Sequence, residues 1–187
     1  TTSSAASDVY KRQVLIIGAG HAGVEAAIAS DRIGAKTALI SFKKSDLGVM
    51  SCNPAMGGLG KGHLIREIDA MGGVIGLASD HSGIQFRMLN RTRGEAVQGP
   101  RAQIDRDLYK ENIQRIVRNS GVELVEGEVR DIITERKSGN ESIIGVETCS
   151  LGKLYCKKLV VTTGTFLSGV IYRLSLIHIS EPTRQIV

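Results

Sequence analysis

Val14-Leu15-Ile16-Ile17-Gly18-Ala19-Gly20-His21-Ala22-Gly23-Val24-Glu25-Ala26-Ala27 is the stretch that decides the fold. Four apolar, mostly β-branched residues read as a strand buried on both faces. They run into Gly18, Gly20 and Gly23 at G-x-G-x-x-G spacing. The small apolar residues beyond suit a helix packed closely on a sheet. Gly34 ends that helix, and Thr37-Ala38-Leu39-Ile40 follows as the next strand. Strand, glycine turn, helix and parallel strand make a βαβ unit. In that context the first Gly permits a tight turn, the second lets backbone approach a pyrophosphate, and the third lets helix and strand touch. The N–H groups and dipole of the helix N-terminus then hold the diphosphate. Gly18, Ala19, Gly20, His21, Ala22 and Gly23 are therefore the candidate cofactor-binding turn.

Working outward, residues 41–62 are rich in Gly and Ser and too long for a plain connection, as functional loops are. Leu64 to Met71 reads as a helix, and Ile84 to Arg93 is basic and amphipathic. Arg101 to Arg118 is the clearest helix of the chain and is closed by Asn119-Ser120-Gly121. Val122 to Val125 is a third strand. Glu128–Glu135, Ser142–Cys149 and Lys153–Cys156 then read as a short antiparallel meander, with Lys137-Ser138-Gly139-Asn140 as a turn. Leu159 to Thr163 returns as a buried strand ending at Gly164. The expected architecture is α/β: a Rossmann-like parallel sheet with a small antiparallel β-meander crossover.

Composition narrows the function classes. With 42% hydrophobic residues in 187, the chain can bury a core, and disorder is excluded. Three cysteines are an odd number for a disulfide scaffold in a chain of this length and favour a reducing compartment. No apolar run approaches the roughly 20 residues of a membrane helix. A formal charge of +5 permits an anionic partner without requiring one. His63 and His81 have no metal-ligand partners at zinc spacing, so no metal is expected.

The acid that usually meets a ribose about 20 residues past the glycines is missing. Ser41, Phe42 and Lys43 stand there, and Ser41 offers a hydroxyl. On these residues FAD and NAD are both open. The meander crossover favours FAD, since flavoprotein folds commonly carry it. Thr162-Thr163-Gly164 fits a strand end passing close to a flavin cofactor, and Val129 stands where such folds set backbone against adenine. A P-loop is excluded, because Ala55 replaces its first Gly and Gly62 its Ser or Thr.

The most specific stretch is Ser51-Cys52-Asn53-Pro54 through Gly60-Lys61-Gly62-His63. With the glycine turn, Gly83-Ile84-Gln85-Phe86, Arg101-Ala102-Gln103 and Thr163-Gly164-Thr165-Phe166-Leu167, it resembles the MnmG (GidA) family of FAD-dependent tRNA wobble-uridine modifying enzymes. That family also carries a hydroxyl residue at the position of Ser41. Arg93-Gly94-Glu95 departs from it, since Pro usually stands where Glu95 is. The resemblance implies FAD, reduced by NADH, working with a methylene-folate donor and a small amine. A carboxymethyl- or tauro-aminomethyl group is then added at C5 of the wobble uridine of tRNA. It further implies an MnmE-type GTPase partner, a homodimeric full-length protein, and a bacterial cytoplasmic or mitochondrial matrix location. Cys52 is the candidate catalytic thiolate, because addition at C6 would activate the poorly nucleophilic C5. Cys149 and Cys156 read as structural.

Lys61, Arg87, Arg91, Arg93 and Arg101 are candidate RNA contacts, as phosphate neutralisation requires cations. With 4% aromatics, a stacking platform for bases is not evident. Two other readings stay open: a flavin oxidoreductase of a small molecule, and a folate- and FAD-dependent tRNA uridine methyltransferase. Finally, residues 1–13 resemble the in-frame translation of a sequencing adapter, and residues 174–187 resemble its paired partner. Residues 14–173 are then expected to be the protein proper, the N-terminal part of a longer FAD-binding domain.

Overall fold

The computed structural model describes residues 12–51, 53–137 and 139–164. Cys52, the motif end Thr165-Phe166-Leu167 and most of the two expected tails lie outside the described residues.

The first strand, β1 (Val14–Ile17), leads into helix α1 (His21–Arg32) and then β2 (Thr37–Ser41). β1 and β2 pair in parallel, Val14 opposite Thr37 and Ile17 opposite Ile40. β6 (Glu123–Glu126) adds to β2, and β10 (Lys158–Val161) adds to the other side of β1, both in parallel. The order β10-β1-β2-β6 is the expected Rossmann-like core with its returning strand. Arg12 and Gln13 already join this sheet. The Gln13 carbonyl accepts from the Lys157 and Lys158 N–H groups, and the Arg12 guanidinium grips both Glu123 carboxylate oxygens.

Both faces of the sheet are covered, which is why its strands are apolar without alternation. Ile16 and Leu39 point into the core shared with α1 and with α4 (Arg106–Arg118), where Val24, Ala27, Tyr109 and Ile113 are buried. Leu15, Ala38 and Ile40 point the other way, onto Val129, Val146, Leu154 and Cys156. That second layer is the expected meander of β7 (Val129–Lys137), β8 (Asn140–Thr148) and β9 (Gly152–Tyr155), antiparallel throughout. Full burial of a side chain such as Leu15 or Leu39 stabilises by about 1.5–3 kcal/mol, so this double-sided sheet dominates the fold.

Three readings of the middle of the chain need correction. The long loop after β2 contains a strand, β3 (Ala55–Gly57), and helix α2 begins at Lys61 (Lys61–Ala70) rather than Leu64. A further helix, α3 (Ile75–Ser82), was not anticipated. The basic stretch from Ile84 forms β4 (Gly83–Leu89), and β5 (Gly99–Ile104) takes the residues read as the start of the long helix. β3, β5 and β4 make a second antiparallel sheet, in that order. The helix α4 starts only after Asp105, whose carboxylate accepts from the N–H groups of Asp107 and Leu108, both at 3.0 Å. That cap ends the strand and starts the helix in one residue. No helix among the described residues is long and apolar enough to cross a membrane.

Candidate functional site

The three fingerprint glycines meet three different constraints. Gly18 leaves β1 at φ +102°, and a Cβ there would strike the Thr162 carbonyl. Gly23, in the first turn of α1, lies against the Gly18 carbonyl, and any Cβ would sit on it. A Cβ on Gly20, by contrast, would meet nothing within 4 Å. So Gly18 and Gly23 bring strand, helix and β10 together, while Gly20 leaves free space in front of the helix.

The turn is tied to both neighbouring strands. Gly18 N–H donates to the Ile40 carbonyl at 2.9 Å, and the Thr162 hydroxyl donates to the carbonyls of Ile17 (2.7 Å) and Gly18 (3.1 Å). Among the described residues the N–H groups of Gly20, His21 and Ala22 have no hydrogen-bond acceptor. They are the open donors of a helix start, the arrangement that receives a phosphate.

A cavity of about 280 Å³ opens in front of this turn. Gly18, Ala19, Gly20, Ser41, Val129, Thr163 and Gly164 line it, so seven of the ten expected cofactor residues converge from four strand ends. His21, Ala22 and Gly23 stand just behind, in the first turn of α1. Asp46 also lines the cavity, and sequence spacing did not single it out. It sits in the short 3-10 turn Lys44–Asp46, which carries an acid back beside Ser41. A count along an extended strand misses such a return.

His21 faces away from the cavity. Its Nδ1 shares a hydrogen bond with the buried Tyr109 hydroxyl at 3.2 Å, and the two rings meet edge to face. Burial, reinforced by the Lys61 ammonium, lowers its pKa to about 4, so His21 is neutral near pH 7. The unfolded chain takes up this proton near 6.5, before the folded chain does. Stability is therefore complete above that value and falls as the pH drops toward 4. His21→Gln is expected to flatten this acid limb in chemical denaturation, by on the order of 2 kcal/mol at pH 4. An unchanged pH profile would refute the neutral, buried His21.

Lys61 opens α2 and donates to the Ala55 carbonyl at 3.3 Å, on the His21 side of the glycine turn. The other candidate RNA contacts divide. Arg87, Arg91 and Arg101 share the wall of a second cavity of about 390 Å³, together with Arg66, while Arg93 and Lys61 do not line it. Cys149 is exposed at the end of β8 and Cys156 is buried under the meander, its thiol pKa raised by burial. Among the described residues no His, Cys, Asp and Glu cluster could hold a metal.

Comparison with known proteins agrees with this geometry. Residues 13–184 match the family model described as glucose inhibited division protein A. A relative from Aliarcobacter butzleri, named tRNA uridine 5-carboxymethylaminomethyl modification enzyme MnmG, is 48% identical over 169 residues. These make up 90% of this chain and 26% of the relative. The Aquifex aeolicus protein of the same name is 51% identical over 161 residues, 85% of this chain and 25% of that one. The solved structure of Aquifex aeolicus GidA superposes with a TM-score of 0.79 at 48% identity, covering 88% of this chain and 27% of that one. A GidA-related protein from Thermus thermophilus, at 15% identity and a TM-score of 0.57, shares the fold alone. The chain thus spans about a quarter of the length of the curated relatives it matches. On the glycine turn, the sheet around it and this match, the chain belongs to the glucose inhibited division protein A family.

Proposed function

We propose that the chain is the FAD-binding part of an enzyme that adds an aminomethyl-type group at C5 of the wobble uridine of tRNA. The observation that carries this reading is the convergence of the glycine turn with Ser41, Val129, Thr163 and Gly164 on one cavity, in a chain about half identical to proteins bearing that name. The residues fit a dinucleotide: the open N–H groups of Gly20, His21 and Ala22 suit the diphosphate. Ser41 and Asp46 bring a hydroxyl and a carboxylate to the ribose end, and Val129 bounds the adenine side. Bound FAD supplies redox chemistry to the modification, with NADH as its reductant and a methylene-folate as one-carbon donor.

In the sequence Cys52 directly follows Ser51, a residue of the cavity wall. Its role in this reading is the thiolate that adds at C6 of the uridine, or the group that handles the accompanying proton. The whole protein works as a homodimer with an MnmE-type GTPase, in a bacterial cytoplasm or mitochondrial matrix. Residues 1–13 and 174–187 are adapter-derived, and residues 14–173 are the native portion.

The test has two arms. The purified chain, titrated with FAD and separately with NAD, is expected to quench flavin fluorescence and to ignore NAD; preference for NAD would overturn the cofactor. In a full-length relative, changing the cysteine that matches Cys52 to Ala is expected to abolish the modified nucleoside in tRNA digests while flavin is retained. Unchanged modification would remove Cys52 from the chemistry.

A further inference from the structure

Asp46 is the charged residue of a cavity wall that is otherwise backbone, hydroxyl and apolar surface. Among the described residues no Lys, Arg, His or Glu lines that cavity. Lys44, in the same turn as Asp46, lines a separate cavity against α4. The carboxylate therefore faces the cofactor space without a cation to offset it.

The turn that carries Asp46 is fixed on three sides. The Lys44 N–H donates to the Glu126 carboxylate at 3.0 Å, which ties the turn to the end of β6. Leu47 is buried in the core, and its carbonyl accepts from the Gln114 side-chain amide of α4 at 3.3 Å. The Gly48 N–H then donates to the Ala19 carbonyl at 3.3 Å, inside the glycine turn itself. Asp46 is thus held at a set place beside the phosphate turn. Its Oδ1 accepts from the Ser45 hydroxyl at 3.5 Å, the outer limit of a hydrogen bond, and among the described residues Oδ2 has no donor.

A carboxylate with open lone pairs accepts strongly from hydroxyl groups, and the vicinal diol of a ribose offers two. The same carboxylate repels a phosphate ester placed there, where no cation neutralises it. Dinucleotide folds that accept a 2′-phosphate bring an Arg to the ribose, and those that take the free hydroxyl bring an acid. The end of β2 offers only the Ser41 hydroxyl, and the following turn supplies the acid.

We propose that Asp46 is the specificity-determining residue of this cavity. Its carboxylate takes the vicinal hydroxyls of an adenosine ribose, so the chain accepts dinucleotides with an unmodified ribose and rejects those phosphorylated at the 2′ hydroxyl. This selection rests on the dinucleotide reading of the glycine turn and not on the flavin.

The test is calorimetric titration of the 187-residue chain with ADP-ribose and with 2′-phospho-ADP-ribose, neither of which carries a flavin. The parent is expected to bind ADP-ribose at least about tenfold more tightly than its 2′-phosphate. Asp46→Asn keeps the size and one acceptor but removes the charge. It is expected to narrow that ratio to about threefold or less, by losing affinity for ADP-ribose and gaining it for the 2′-phosphate. A residue that merely shapes the turn would weaken both probes alike. Ser41→Ala should keep the parental ratio, and so should Lys153→Gln on the meander, which does not line the cavity. Because each ratio is read within one variant, differences in folded fraction cancel. Absence of ADP-ribose binding, equal affinities for the two probes in the parent, or a parental ratio in Asp46→Asn would overturn the proposal. So would collapse of the ratio in Ser41→Ala. FAD quenching measured on the same samples separates the two readings. The expected ADP-ribose results without FAD binding would sink the flavin assignment alone, and FAD binding with equal probe affinities would sink the role of Asp46 alone.

Discussion

Gly23→Ala is expected to unseat the cofactor turn and destabilise the whole domain, whereas Gly20→Ala should damage binding alone. A methyl group on Gly23 has nowhere to go. It would sit on the Gly18 carbonyl, with the Thr162 hydroxyl oxygen 2.8 Å away, and both belong to the rigid junction of β1, α1 and β10. Relief requires moving α1 off the sheet, where Val24 and Ala27 are packed against Ile16. Overpacking of this kind costs about 3 kcal/mol, which lowers Tm by roughly 6–12 °C in a domain of this size. Gly20→Ala meets no protein atom, so its Tm should match the parent's to within a degree or so. Its methyl group does occupy the space in front of the open N–H groups, and FAD affinity should fall at least tenfold. Thermal melts with and without FAD read both effects. Equal Tm losses in the two variants would show that the glycines are interchangeable turn residues, contrary to the geometry.

Glu25→Ala is expected to have an effect of similar size by a different route. Glu25 lies on α1, two residues past the glycine motif, and its carboxylate oxygen accepts from the Val74 and Ile75 N–H groups at 2.8 and 2.7 Å. It therefore caps the start of α3 from 49 and 50 residues away in the chain, at the end where the helix dipole favours an anion. No residue local to α3 makes a side-chain cap. Truncation leaves two donors without an acceptor in a partly buried place, and charged hydrogen bonds of this kind contribute about 1.5–3 kcal/mol each. A loss of about 3 kcal/mol is expected, with Glu25→Gln recovering roughly half, since its amide oxygen still accepts. Hydrogen exchange should show α3 opening first while β1 and β2 stay protected; uniform loosening would contradict a cap.

Glu25 also shows where reading along the chain stops. In the sequence it is one polar residue on a small-residue helix, and its partners lie beyond two other elements. The same holds for Arg87 and Arg101. Each is visible as a cation, but only the β4–β5 register places them opposite each other. The reading of Arg101 as helical failed because helical spacing of apolar residues continues through Ile104. The cap at Asp105 and pairing on both sides of β5 decide the boundary instead.

By itself the sequence determined the parallel core, the meander and the glycine turn, because each depends on local signals. These are continuous apolar runs for strands buried on both faces, glycines at fixed spacing, and turn residues between short strands. The tertiary structure alone decided which side chains share a cavity. Asp46 returning to the cavity that Ser41 lines, His21 turning from the phosphate turn to Tyr109, and Arg87 meeting Arg101 across β4 and β5 all come from elements brought together by the fold. Such meetings are set by packing and strand register, and no periodicity along the chain encodes them.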